Sequence, residues 1–158
     1  MKTRIMSSAF LLRNNEVLLM HRDSGRKIAP NMWAAVGGHI EPDEVDNPRA
    51  ACLREIEEET GILAEKVTDL KLRYITTRQK EDEIRISFTF IGKVSEKYDL
   101  PASDEGTLHW VRIDTLSDLP MTYSVKQTVL HWSKNKESIS IFLGAVNSTN
   151  DQINWSEL

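Results

Sequence analysis

The stretch that most constrains this chain is a helix-shaped segment with its carboxylates gathered on one side. Asn47-Pro48 opens it, an N-cap residue followed by proline at the first helical position, and Gly61 is a natural C-terminal stop. At about 100° per residue, Glu55, Glu58 and Glu59 fall within one third of the circumference. Leu53, Ile56 and Thr60 point away from that stripe and can face a core, while Ala51 sits within it and leaves room above. Carboxylates spaced i, i+3 and i+4 repel, costing roughly 0.2–0.5 kcal/mol per pair on an exposed helix. A hard cation with oxygen ligands reverses that sign, and Mg²⁺ suits the pattern because it needs few carboxylates once water and substrate phosphates fill its other positions. Taken alone, an E-x-x-E-E helix is most often a solvated face. The flanks have to decide.

Charge is concentrated, which suits a bound cation or a solvated face, and composition alone does not choose. The chain has 158 residues and a formal net charge of -4. From Glu41 to Glu59 there are eight acids against two bases, so the remainder is slightly basic. Nothing clusters Lys and Arg on one face as a general nucleic-acid surface requires, and polymeric nucleic acid is not expected as a partner. No apolar run approaches the roughly 18 residues of a membrane span, so no membrane partner is expected either. Cys52 is the only cysteine, which excludes an internal disulfide and makes a reducing, cytoplasmic setting the expectation. At this length a chain buries about 70% of its unfolded surface, enough for one domain over 1–158 without structural metal.

The remaining elements alternate strands with two helices. Thr3–Leu12 and Glu16–His21 read as a hairpin turning at Arg13-Asn14-Asn15. Ser24–Asn31 reads as a loop and Met32–Val36 as a short strand ending at Gly37-Gly38. Val67–Thr77 and Ile84–Val94 read as strands around a turn at Lys80–Glu83, followed by a polar loop from Tyr98 to Gly106. Thr107–Ile113 is another strand, Thr122–Lys134 a helix, Ser138–Val146 a final strand, and the rest a polar tail. The expected class is mixed α/β (α+β), a mixed β-sheet sandwiched between α-helices.

Gly37-Gly38-His39-Ile40-Glu41-Pro42-Asp43-Glu44 precedes the helix. A Gly-Gly turn lets backbone approach a ligand closely and offers a carbonyl to the same metal. Glu44 can pair with Arg54, although Arg54 and Glu58 also form a local i, i+4 pair. Together these residues resemble the Nudix box, a glycine and loop glutamate followed by R-E-x-x-E-E-x-G. The pattern falls on Gly38, Glu44, Arg54, Glu55, Ile56, Glu58, Glu59, Gly61 and Ile62, so the box spans about 38–62. Val45 to Leu53 is two residues longer than the usual spacing. Counting back by that spacing lands on Asp46 and Ile40, but the intact GGHIEPDE string favours Glu44 and places the extra residues in the loop.

The resemblance implies a Mg²⁺-dependent hydrolase of nucleoside diphosphate-linked compounds, with Mn²⁺ as a substitute. It implies metal ligands at Glu55, Glu58 and Glu59 with the Gly37 carbonyl, and a further carboxylate from a distant loop, for which Glu105 is the candidate beside its reading as an acidic turn residue. Glu58 is the first choice of base, with Glu55 and Glu105 kept open, and Arg54 and Glu44 complete the catalytic set. Gly38, His39, Arg22 and Arg26, with Lys27, are candidates for substrate contact, although solvated loop cations are the commoner case.

Length, the VGGH turn and DEGTLHW resemble MutT-type enzymes, which release pyrophosphate from nucleoside triphosphates, including oxidised purine forms. Leu119-Pro120-Met121-Thr122-Tyr123 lacks a Trp and an Asp that some of those enzymes use for the base. Trp33, Tyr123 or Phe88 could stack on a base, but aromatics at such positions are more often core. Nucleotide sugars and dinucleoside polyphosphates are the alternative substrates, and a non-catalytic nucleotide-binding module is the rival from another class. A prenyl diphosphate isomerase would want a reactive pocket cysteine, whereas Cys52 lies within the box helix as a packing residue. Family habit allows a homodimer.

Overall fold

The computed structural model describes residues 1–147 and 149–158. Its order is β1 (Lys2–Arg13), β2 (Glu16–Arg22), β3 (Trp33–Ala34), β4 (Val36–His39), α1 (Pro48–Thr60), β5 (Thr68–Lys80), β6 (Glu83–Lys93), β7 (Gly106–Arg112), α2 (Tyr123–Lys134), β8 (Phe142–Asn147) and β9 (Gln152–Glu157). Short 3-10 turns at Pro42–Glu44, Ala64–Lys66 and Ile113–Asp118 join them. The nine strands form one mixed sheet with the path β3-β2-β1-β6-β5-β8-β9, β4 pairing with β1 and β7 with β2. β1 runs parallel to β6, and β5 to β8; the other pairs are antiparallel.

Alternation along β1 divides the core between the two faces. Ala9 and Leu11 join Val36, Phe90, Cys52 and Ile56 under α1. Phe10 joins Tyr74, Val129, Trp132 and Phe142 under α2. The expected mixed sheet between helices is therefore the observed fold, of the α+β class. Asn14 turns the first hairpin at φ 52, as the Asn-Asn pair predicts.

Three strand expectations change. The Met32–Val36 strand divides at Ala35, and Gly37-Gly38 lies inside β4 rather than beyond its end. The glycines still carry backbone donors and acceptors, and they pair opposite Ser8 and Ser7 of β1. The final predicted strand begins at Phe142, not Ser138. The polar tail contains β9, an edge strand whose Ile153 and Trp155 lie opposite Val146 and Gly144; Ser148, also in that tail, falls outside the described residues. Two inward side chains suffice for an edge strand, too few for an alternation signal in sequence.

Candidate active site

α1 is held at both ends as its sequence requires. The Asn47 side chain accepts from the Ala50 N–H, and Gly61 takes the left-handed conformation at φ 73 while its N–H donates to the Glu57 carbonyl. Ser7 of β1 donates to the Pro48 carbonyl at 2.8 Å, pinning the first turn to the sheet. Ala51, Cys52, Ile56 and Thr60 are buried, and Leu53 is partly so. Burial of Ala51 lets the helix approach closely, and the stripe that follows meets Gly37 and Gly38 of β4.

Arg54 organises the loop. Its Nε and Nη2 donate to the two Glu44 oxygens at 2.7 and 2.9 Å, a bidentate pair that holds Glu44 well below the usual carboxylate range. Nη1 donates to Glu55 at 2.8 Å and Glu58 at 3.1 Å, and Nη2 also reaches the His39 carbonyl at 3.0 Å. Glu44 itself accepts from the Glu41 N–H at 3.1 Å, closing the Pro42–Glu44 turn. Glu44, not Asp46, thus faces Arg54, and the two additional residues are taken up between that turn and Asn47. This same contact raises the Arg54 guanidinium further above its ordinary range.

Glu59 is the buried member of the stripe. The Gly37 N–H donates to it at 2.9 Å, and it is through this N–H that the Gly-Gly strand meets the carboxylates. Burial pushes the Glu59 carboxyl up to about 8; the Gly37 N–H opposes that shift, while Glu105, as acceptor for a protonated Glu59, and the charges of Glu105 and Glu55 add to it. Glu55 is also raised, by burial first, with Arg54 opposing. A Cβ on Gly38 would lie 2.6 Å from the Glu55 carboxylate, so only glycine leaves that carboxylate its place.

Glu105 reaches the site by way of the β2–β7 pair. Gly106 lies opposite Arg22, and the Asp23 N–H donates to the Glu105 carbonyl at 3.1 Å. Gly106 has φ 152, and a Cβ there would meet the His21 carbonyl oxygen at 2.1 Å. That close strand approach carries Glu105 onto Glu59 from 46 residues away.

The other predicted residues separate. Arg26 Nη2 stands 3.9 Å from Glu105, so it borders the carboxylates. Arg22 instead donates to the Ile28 carbonyl at 3.1 Å and holds its own loop. Lys27 is exposed, and His39 is exposed at the end of β4. Trp33 is half-buried against His21 and His109, on the α2 side, while Phe88 packs under α1. Cys52 is 1% exposed, and burial pushes its thiol up to about 12, which suits a packing residue. The sequence reading missed Ser7, whose role depends on a contact across 41 residues.

The donor set fits a hard divalent cation. Glu55, Glu58, Glu59 and Glu105 supply only oxygen, and the carboxyls of Glu55 and Glu59 are raised by burial and by neighbouring acids. Among the described residues, no three carboxylate, histidine or cysteine side chains close on one point. Arg54 explains the open arrangement, because Nη1 draws Glu55 and Glu58 towards itself.

Residues 2–133 match the NUDIX domain. The chain belongs to the Nudix family. Its box and fold are those of that family. It is 42% identical over 55 residues to the m7GpppN-mRNA hydrolase NUDT17 of Xenopus laevis, a stretch that is 35% of this chain and 18% of that protein. The matched stretch is thus under a fifth of the relative's length. Among solved structures, the MutT protein of Bacillus halodurans superposes with a TM-score of 0.72 at 22% identity, covering 98% of this chain and 97% of that one. A C. elegans Ap4A hydrolase superposes at 0.69 with 17% identity, covering 85% and 98%. These likenesses are of fold. No helix among the described residues is long and apolar enough to cross a membrane.

Proposed function

We propose that this Nudix domain hydrolyses a nucleoside triphosphate, ordinary or oxidised, to the nucleoside monophosphate and pyrophosphate in a Mg²⁺-dependent reaction. The observation that carries the proposal is the Glu59 carboxylate seated on the Gly37 N–H of the Gly-Gly strand, on an acidic helix whose Arg54 is locked to Glu44. Mg²⁺, held by Glu55, Glu58, Glu59 and Glu105 and with Mn²⁺ as its substitute, would offset the diphosphate's charge and make water a better nucleophile.

The chain's own residues do the rest. Glu58, its side chain 58% exposed and oriented by Arg54 at 3.1 Å, is the acceptor of the proton as water attacks phosphorus in line. The anhydride P–O bond breaks, and pyrophosphate leaves with the electron pair. Arg54 fixes the direction of Glu58, while Glu44 holds Arg54 and thereby the loop. Arg26 is the cation nearest these acids and suits the departing phosphates. His39 and Gly38 border the same space, whereas Arg22 acts through its loop.

A second reading has its own support. The local identity to an m7GpppN-mRNA hydrolase favours a substrate with nucleosides at both ends of the polyphosphate. One panel distinguishes the two. Pyrophosphate and phosphate release is measured with Mg²⁺ on triphosphates, nucleotide sugars, dinucleoside polyphosphates and m7GpppN compounds. Preference for one triphosphate with pyrophosphate as product supports the first reading; preference for a two-ended substrate supports the second. Glu58→Gln and Glu59→Gln proteins as fast as wild type would refute the mechanism. Binding of nucleotide with no turnover in Mg²⁺ or Mn²⁺ would make the domain a binding module.

A further inference from the structure

α1 covers only part of the sheet face it lies on. Ser7, Ala9 and Leu11 of β1 turn towards it, Ser7 by its bond to the Pro48 carbonyl and the other two through the core. The same alternation carries Ile5 and Thr3 onto that face beyond the helix. Strand register sets their neighbours. Ile5 lies opposite Ile86 and Thr3 opposite Ile84 on β6, while Ile75 of β5 lies between Phe88 of β6 and Leu143 of β8. Phe88 packs under α1 and marks where this shelf meets the core. Ile5, Ile75, Ile84, Ile86 and Leu143 are half-buried and join neither core.

Among the described residues the shelf carries no charge. Its remaining positions, Thr3, Thr77, Gln79 and Ala145, are neutral, and the same strands send Arg4, Arg85 and Arg78 to the opposite face. A sheet face left to water normally carries polar residues, whereas this one gathers five large apolar side chains in one patch. Beside it, Ile5 and Thr3 bound a space of about 570 Å³ shared with Ile40, Pro42 and Val45, and Val45 is 52% exposed. The apolar surface therefore runs from the Val45 turn across β1, β6 and β5 to β8. A contiguous apolar patch of this kind marks a surface that another protein covers.

We propose that the shelf is the two-fold interface through which two copies of this chain pair. Four strands at about 4.8 Å and three rows of side chains about 7 Å apart give roughly 400 Å² per copy. With the Val45 side of the cleft, two copies close on the order of 1,000 Å², the lower bound for a specific interface. One sheet face accepts another at about 10 Å, close to the diameter of a helix, so α1 of each copy stands beside the other's sheet instead of holding the two apart. A two-fold axis sets each shelf against its own copy, and an uncharged apolar surface is complementary to itself. The inference stands apart from the hydrolase reading, and turnover bears on neither outcome.

Sedimentation velocity on the whole chain, from micromolar to millimolar concentration, reads the result directly. Wild type is expected at twice the monomer mass, and the pair should persist in high salt, because apolar burial drives it and charge does not. Ile86→Glu enters the interface twice and should weaken pairing by about 100-fold. Ala145 is exposed at the edge of the shelf, so Ala145→Arg should weaken pairing as well while the thermal midpoint stays near that of wild type. If Ile86→Glu fails to fold, Ala145→Arg decides. Methyl NMR signals of Ile5, Ile84 and Ile86 should move on dilution, while that of Ile139, 89% exposed in the turn before β8, should not. A wild-type chain that stays monomeric throughout would overturn the proposal and leave the shelf to a different protein. A pair that salt dissolves, or that the folded variants leave intact, would overturn it too.

Discussion

The two helices cover opposite faces of one sheet and are attached in opposite ways. α1 lies close to the sheet on the small side chains Ala51, Cys52 and Thr60 with one large one, Ile56, and spends much of its remaining surface on charge. α2 is attached by bulk. Trp132 and Val129 are buried, and His131 meets Tyr74, Phe142 and Trp155 with ring centroids 5.6, 4.6 and 4.7 Å away. The Tyr74 hydroxyl and His131 Nδ1 share a hydrogen bond of 2.9 Å. One face therefore places carboxylates through a single arginine, and the other supplies much of the cohesion that lets the first remain strained by its own charge. Substitutions should separate along that line.

The sharpest break is expected at α1. Glu58→Gln should lower kcat by about 10²–10⁴-fold, the usual worth of a positioned proton acceptor, while its thermal midpoint stays near that of wild type. Steady-state kinetics and calorimetry on one preparation check both halves. Trp132→Ala should do the reverse, losing about 3–5 kcal/mol by chemical denaturation while the fraction still folded keeps wild-type kcat. If Trp132→Ala lowers kcat as strongly as stability, the division between the faces is wrong.

Gly106→Ala is expected to cross the division. Its Cβ would strike the His21 carbonyl, and φ 152 suits glycine, so about 1–3 kcal/mol of stability should go. Activity should fall as well, because the strand approach that carries Glu105 is the one displaced. A loss of stability with kcat intact would show that Glu105 is dispensable.

The smallest effect belongs to His131. Burial lowers its pKa, with Lys134 contributing. As pH falls through the ordinary histidine range the unfolded chain takes up the proton first, so the His131 contribution is complete above that range and is lost as pH falls through the lower folded value. Denaturation curves at pH 7.5 and pH 5 should therefore show a loss at the lower pH that His131→Phe reduces. The same loss in the variant would assign it to other groups.

Much of α1 was legible in sequence because its signals are local. Asn47, Pro48 and Gly61 act through contacts within one helical turn, and the stripe of Glu55, Glu58 and Glu59 follows from helix periodicity. Glu105 was legible only as a candidate, since an acidic turn residue looks the same whether or not a second strand draws it onto Glu59. Arg22 and Arg26 looked equivalent in one loop, yet Arg22 is spent on the Ile28 carbonyl while Arg26 faces Glu105. β9 carried too few inward residues to register as a strand.

By itself the sequence determined the order of most strands and the two helices, the caps of α1, and the oxygen-rich character of the site, because each depends on neighbours within a few residues. Tertiary structure decided that Glu105 comes beside Glu59 and that Ser7 turns its hydroxyl to the first turn of α1. Each of those depends on strand register, and register is set by pairing between segments tens of residues apart, where a shift of one position would send every side chain to the opposite face.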